Sequence, residues 1–446
     1  MLTFADIKNM RSIAALIIIF VCIYVSCAQN QIQSADMPTS PNSPEPTGTD
    51  TAGAYSIVER ANWHRYINGT YVGLISQETR ATVIPRRHNG VLLHQGNFFV
   101  LQSMIHQRPL GRTVDAIIPV IYELFDDGYM FIENDQGFPR MRGFPSFPTQ
   151  QVNPGTRWSA PGVRASDPFN TGQPLLIPFV AEYEYRGVEI FRNELVHRLF
   201  AAFASSYTNN EAIDGELARI RGGHRVDILI RVKDNLPVFM RDNFDVTYTK
   251  ADNSSVRLRG FTLTFGSRTV LMDRGTVIAA LGDTLNIENL PDPDTLADAP
   301  VPIVTVPQPG PTEAEDRIPE LQEAAIDMAP VPEGIRLTIR NIQFAPDSAE
   351  FLPAERARLD LIAEALKQIP ERTFLVEGHT AATGRPVGEM TLSIQRAQRM
   401  IYELTRRGIS PTRFIYKGWG GTRPIGNNAT SEGRSANRRV EITILE

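Results

Sequence analysis

The sequence predicts a multidomain protein: a β-rich N-terminal and central region followed by a C-terminal α/β sandwich. Three observations predict it. Between Tyr55 and Ala280 apolar residues recur at period two, most clearly at Val226, Ile228, Ile230 and Val232, which puts a β-branched stripe on one face of a strand. From Glu333 onward strand patterns alternate with helical stripes, the arrangement of helices packed on one face of a mixed sheet, β-α-β-α-β-β. Between the two, residues 291–332 hold ten prolines, nine acids and one base, Arg317, the composition of an extended acidic linker.

The N-terminal segment reads as an export signal. Lys8 and Arg11 precede an apolar run from Ile13 to Val25, shorter than the roughly 20 residues a membrane span needs. Tyr24-Val25-Ser26-Cys27 resembles a lipobox, with Tyr24 as its departure and Cys27 as the lipidation site. Ordinary signal peptidase cleavage after Ala28 and an uncleaved signal anchor are the alternatives. All three place the bulk of the chain outside the cytoplasm. Residues 1–27 are thus the signal and 28–54 a flexible tether, rich in Ser, Pro, Thr, Asn and Gln. Cys22 and Cys27 are the two cysteines of the chain, so no disulfide can form after Cys27, and stability there must come from packed cores.

Two β-rich modules follow, 55–160 and 161–290. Their boundary is set in the stretch from Phe138 to Phe169, which is dense in Gly, Pro, Arg and aromatics. A single larger β domain is the alternative. Asp245 to Lys250 and Val256 to Phe265 flank Ala251-Asp252-Asn253-Ser254, a hairpin signal. One helix is expected at Glu194 to Ser206, where Leu195, Leu199, Ala202 and Phe203 recur at helical spacing.

Residues 333–446 form the last domain. Ile335, Leu337 and Ile339 mark a strand. Pro353 can start a helix, because the first turn does not need its missing N–H. Leu359, Ile362, Ala363 and Leu366 then make a buried stripe. Thr373 to Glu377 is the next strand. A second helix runs from Gly388 to Arg407, ended by Gly408. Arg413 to Lys417 and Arg439 to Ile444 are further strands.

The net charge of −5 argues against a nucleic-acid partner. Among the seven histidines there is no H-x-x-x-H pair, and no G-x-S-x-G or Walker pattern appears. The sequence therefore predicts no enzyme, no metal and no cofactor.

The C-terminal motifs are specific. Gly378 opens G-H-T-A-A-T-G, Leu392 opens L-S-I-Q-R-A, and Asn427 opens N-N-A-T-S-E-G-R-S-A-N-R-R-V-E-I. Their order and spacing resemble the OmpA C-terminal domain family, over about Ile335 to Glu446. That family holds outer membranes or motor proteins to peptidoglycan. The resemblance implies a cleft for the diamino acid of the stem peptide, with an aspartate taking its amino group and an arginine its carboxylate. Here the arginine is Arg396, and Thr380, Leu392, Ser393 and Ala397 match. The aspartate position is Ala381, and the family's helix-start asparagine corresponds to Glu389.

Two readings follow from these departures. In one, Glu389 partly replaces the aspartate and the cleft takes an altered diamino acid. In the other, Glu389 merely holds Arg396, wall binding is lost, and the domain is a structural or protein-interaction module. The signal and tether also look like those of a spirochaetal, treponemal-type OmpA-domain envelope protein. The resemblance thus implies a periplasmic protein attached to the outer membrane. Its partners would be peptidoglycan, the membrane through a lipid or signal anchor, and other envelope proteins.

Overall fold

The computed structural model describes residues 53–88, 91–103, 111–125, 130–148, 152–208, 217–295, 326–345, 348–369 and 371–446. The signal segment, Cys27, most of the tether and residues 296–325 of the linker lie outside them.

Among the described residues twelve strands make one sheet, every neighbouring pair in it antiparallel. Strand β1 (Tyr55–Ile67) lies inside it, between β2 (Thr70–His88) and β13 (Ser255–Arg268). Beyond β2 come β3 (Val91–Ser103), β5 (Ala116–Leu124) and β6 (Met130–Ile132). Beyond β13 come β12 (Pro237–Lys250), β11 (Leu217–Arg231), β10 (Glu194–Thr208), β9 (Leu175–Phe191), β8 (Arg157–Ser166) and β7 (Met141–Arg142). Turn chemistry sets the hairpins: Asn68-Gly69 (φ 49° and 80°) and Arg192-Asn193 (φ 49° and 67°) are two-residue turns with both central φ positive, whose twist matches paired strands.

The sheet curls into a nearly closed, barrel-like form. Arg164 on β8 bonds Asp242 on β12 at 2.8 Å, although three strands separate them in the sheet. The irregular segment between β6 and β8 packs into the interior. There Phe138 meets Phe98 with centroids 5.3 Å apart, Arg140 pairs with Glu59 at 3.3 Å, and Phe144 packs against Phe179, Tyr183 and Phe203.

Three expectations are corrected here. Glu194 to Ser206 is a strand, not a helix. Val196, Leu199, Ala201, Phe203 and Ser205 are buried, a period of two that slips by one residue at a bulge between Arg198 and Leu199. That slip imitated helical spacing. The proposed seam at residue 160 falls inside β8, and Tyr55 pairs with Arg268 across the first and last long strands, so 55–160 and 161–290 share one sheet. Finally, a helix ahead of the 291–332 linker region and a strand at its C-terminal end serve the C-terminal domain. Helix α1 (Arg274–Leu285) buries Ile278, Leu281 and Leu285 in that domain's core. Strand β14 (Ile326–Val331) pairs with β15 (Gly334–Ile339), so the domain starts before Glu333. Pro330 is tolerated because β14 is an edge strand.

The rest of the C-terminal domain follows the predicted alternation. A 3-10 turn at Pro353–Glu355 leads into α2 (Arg356–Lys367), followed by β16 (Phe374–Gly378), α3 (Pro386–Arg406), β17 (Phe414–Gly418), α4 (Ser431–Asn437) and β18 (Val440–Leu445). The mixed sheet has the order β14-β15-β18-β16-β17, and β4 (Arg112–Thr113) joins its far edge, parallel to β17. Leu359, Ile362, Met400 and Leu404 from α2 and α3 cover one face. On the other face Leu375, Ile415 and Leu445 meet Phe99, Leu101, Val114 and Ile117 of the barrel-like sheet and the segment after β4.

Glu78 fastens this junction. Its carboxylate pairs with Arg80, with Arg60 at 2.9 Å and with Arg112 of β4 at 2.6 Å. Burial alone would raise its pKa, but the three guanidinium groups hold it below the usual carboxylate value. A lowered acid pKa contributes stability above the unfolded pKa and loses it as pH falls through the folded one. Because the arginines are partly exposed, Glu78→Gln is expected to cost about 1–2 kcal/mol at pH 7. Urea titrations should show variant and parent converging in stability as the pH drops below the carboxylate range.

Candidate ligand cleft

The residues that the resemblance assigns to a ligand cleft gather where β16 and β17 run out beneath α3. Gly378 ends β16 so close to α3 that a Cβ would stand 2.0 Å from the Ser393 carbonyl oxygen. A Cβ on Gly418 at the end of β17 would meet Ser393 Oγ at 2.5 Å. Ser393 is fully buried; its hydroxyl donates to the Met390 carbonyl at 2.7 Å and accepts from the Gly420 N–H at 2.9 Å. Ala397, one turn on, is also fully buried. Small residues at these positions weld the helix to the strand ends.

Residues 379–385 form the near wall. His379 N–H donates to the Arg439 carbonyl (3.1 Å), Thr380 N–H to the Gly420 carbonyl (2.9 Å) and Ala382 N–H to Asn428 Oδ1 (3.0 Å). Thr380 and Ala381 are buried, and Thr380 Oγ1 has no hydrogen-bond partner. Leu392 is half-buried on α3.

Glu389 has a definite task. Its Oε1 accepts from Thr383 N–H (2.6 Å), Arg385 N–H (3.0 Å) and the Thr383 hydroxyl (3.0 Å). This is the reach-back of a capping residue onto a helix that starts at a proline. Burial would raise its pKa, but these donors outweigh it and hold the pKa low. Arg396, by contrast, is buried one turn beyond Ser393. Its guanidinium lies over the Phe344 ring at 4.4 Å, and its Nε reaches the Ser348 carbonyl at 3.5 Å. The described contacts therefore place Glu389 with its own loop and Arg396 with the segment after β15. Phe344, Ser348 and Asn428 were not read from the sequence. Asn428 lay inside the closing motif, whereas nothing in spacing marked Phe344.

The closing motif is structural. Asn437 is fully buried; its Oδ1 accepts from Ile425 N–H (2.7 Å) and Gly426 N–H (2.9 Å), while its Nδ2 donates to the Gly426 carbonyl (2.9 Å) and Asn428 Oδ1 (2.8 Å). Arg434 bonds the carbonyls of Asn428 and Ala429, each at 3.0 Å. Asn437 thus fixes Asn428, which in turn fixes the wall beside Ala381.

Behind the cleft lies a buried ionic group. Arg439 Nε donates to Glu441 Oε1 at 2.7 Å, and Trp419 Nε1 to Glu377 Oε1 at 2.6 Å. Burial and the neighbouring Glu441 push the Glu377 pKa up. Burial also opposes ionisation of Glu441, but His379, Arg439 and Arg336 hold its pKa down. His379 is sealed in, with Nε2 3.7 Å from Glu441 Oε2, and burial lowers its pKa from 6.5 to about 4.

Among the described residues no group of three or more His, Cys, Asp or Glu could hold a metal. An unfolded chain binds a proton at His379 that the folded one refuses between these two pKa values. The stability from this group is therefore complete above pH 6.5 and is lost as pH falls toward 4, up to about 3 kcal/mol. Comparing the pH dependence of unfolding for the parent and His379→Asn should show a shallower loss over that window in the variant.

Residues 343–438 match the OmpA family. The peptidoglycan-binding protein ArfA of Mycobacterium tuberculosis is 38% identical over 103 residues, 23% of this chain and 32% of that protein. The probable lipoprotein YiaD of Escherichia coli is 38% identical over 104 residues, 23% of this chain and 48% of that protein. The matched segment thus spans about a third to a half of these relatives. A solved outer membrane protein of Borrelia burgdorferi B31 is 33% identical and covers 28% of this chain and 99% of its own, with a TM-score of 0.23. The periplasmic domain of Helicobacter pylori MotB is 23% identical and covers 27% of this chain and 82% of its own, with a TM-score of 0.26.

Proposed function

We propose, from the premise that the C-terminal domain belongs to the OmpA family, that this chain is a non-catalytic envelope protein whose C-terminal cleft associates reversibly with peptidoglycan. It would act in the periplasm and link the wall to the outer membrane, through a lipid on Cys27 or through a signal anchor. The observation that carries the reading is Arg396, whose guanidinium plane is held against Phe344 beside the cleft. A fixed guanidinium fork suits a carboxylate ligand. A relative named for peptidoglycan binding, 38% identical over 103 residues, supports it.

Ala381 supports a second reading, in which the cleft no longer holds the wall and the domain is an interaction module. An aspartate there would supply a charge and an acceptor, worth roughly 1.5–3 kcal/mol, or one to two decades in affinity. Glu389 is turned to its own loop, where its Oε1 takes three donors.

The test is co-sedimentation with purified cell wall. The full chain is needed, because α1, β14 and β4 all contribute to the domain and lie outside 333–446. Under the first reading the parent sediments with the wall, Arg396→Ala loses at least about tenfold in affinity, and Ala381→Asp tightens binding. No binding by the parent, with binding gained by Ala381→Asp, would establish the second.

A further inference from the structure

The barrel-like sheet and the helix-free face of the C-terminal sheet pack face to face, and a cavity of about 750 Å³ lies between them. That is within the range of organic-ligand pockets and far beyond the roughly 30 Å³ of one water. It is not the cleft at Ala381, which sits beneath α3. Its walls are mainly apolar. Val58, Ile84, Ile117 and Pro119 come from the barrel-like sheet, Leu375 and Ile415 from the C-terminal one.

Its polar groups are unusual. Arg86 Nε, Glu333 Oε2 and Thr443 Oγ1 belong to lining residues and are buried without a hydrogen-bond partner, and Arg336 Nε has only the Glu441 carboxylate at 3.5 Å. Buried polar atoms are rarely left so, and three around one space point to contents that complete them.

The charge is lopsided. Arg86, Arg336 and Arg423 line the space together with Glu333, Glu377 and Glu446. Glu446 is neutralised by Arg274 at 2.8 Å, and Glu377 is pushed toward its neutral form by burial and by Glu441. Arg336 is within 3.5 Å of Glu441, and Arg423 stacks on Trp419 at 3.4 Å. Apart from these pairs, Arg86 and Arg423 stand against Glu333, so the wall of the apolar chamber keeps a net positive charge.

We propose that this cavity is a binding site for a single-chain anionic amphiphile, its acyl chain between the two sheets and its carboxylate or phosphate headgroup on Arg86 and Arg336. The apolar chain would fill the space that neither sheet fills. The headgroup oxygens would accept from the orphaned Arg86 Nε and from the Thr443 hydroxyl, with the Arg336 guanidinium adding charge.

Binding is measured on the purified full chain by native mass spectrometry and calorimetry, below micelle-forming concentrations. The probes are palmitate, hexadecyl phosphate and hexadecanol, which share a chain length and separate the two headgroups from an uncharged one. One bound molecule per chain is expected for either acid, with hexadecanol at least about tenfold weaker. Arg86→Gln should weaken the acids about tenfold and leave hexadecanol unchanged. Ile121→Trp should block all three probes by filling the cavity from its rim. Residue 121 is 54% exposed, so this change leaves the fold intact, which far-ultraviolet circular dichroism verifies. The proposal is overturned if neither acid binds, if hexadecanol binds as tightly as the acids, or if both variants bind like the parent.

Discussion

The fold depends on covering the second face of the C-terminal sheet. Helices α2 and α3 bury one face only. The other presents Leu375, Ile415 and Leu445, which are 9% exposed or less because Phe99, Leu101, Val114 and Ile117 lie over them. Each 100 Å² of apolar surface kept from water contributes about 2.5 kcal/mol, so leaving this face bare would be costly. The edge needs cover as well. β4 supplies it by hydrogen-bonding alongside β17, and Lys417 Nζ reaches the carbonyls of Val114 and Asp115 at 3.1 and 2.6 Å. The barrel-like sheet is therefore part of how the C-terminal domain is completed.

The same face explains the distribution of charge. Along β16 and β18 the alternate residues Phe374, Val376, Ile442 and Ile444 belong to the helix-covered core. Their neighbours Leu375, Glu377, Glu441, Thr443 and Leu445 belong to the opposite face. Apolar and ionic residues on that face separate toward its two ends. Leu375 and Leu445 meet the barrel-like sheet at one, while Glu377 and Glu441 engage Trp419, Arg439 and His379 at the other. The ionic end abuts the turns that build the cleft, since His379 follows Gly378 directly and its N–H bonds the Arg439 carbonyl. Packing of the domain and the shape of the cleft wall thus share residues.

At the cleft itself, geometry assigns roles that residue types left open. Glu389 and Arg396 lie on one helix and have opposite charges, yet their described contacts run in different directions. The first turn of α3 needs partners for its free N–H groups and its preceding loop, and Glu389 meets that need at short range. Arg396 instead takes an aromatic face from the segment after β15.

Much of the C-terminal domain was legible in the sequence, because its signals are local. The stripe at Leu359, Ile362 and Leu366, the proline at position 353 and the glycine at position 408 each fix an element from its own residues. The residues singled out by the family resemblance, Thr380, Ser393, Arg396 and Ala397, lie on the segment after β16 and on α3. The hairpin at Ala251 to Ser254 was local too. What the sequence could not determine is non-local. A bulge at Arg198 hid a strand inside a helical spacing. The two-residue strand β4 has meaning only beside β17. Helix α1 and strand β14 join a core that lies beyond the linker from one of them and before the first predicted strand of the other. The amphipathic cavity exists only where two sheets face each other. Periodicity reports which side of an element is apolar; only the tertiary structure decides what that side is buried against.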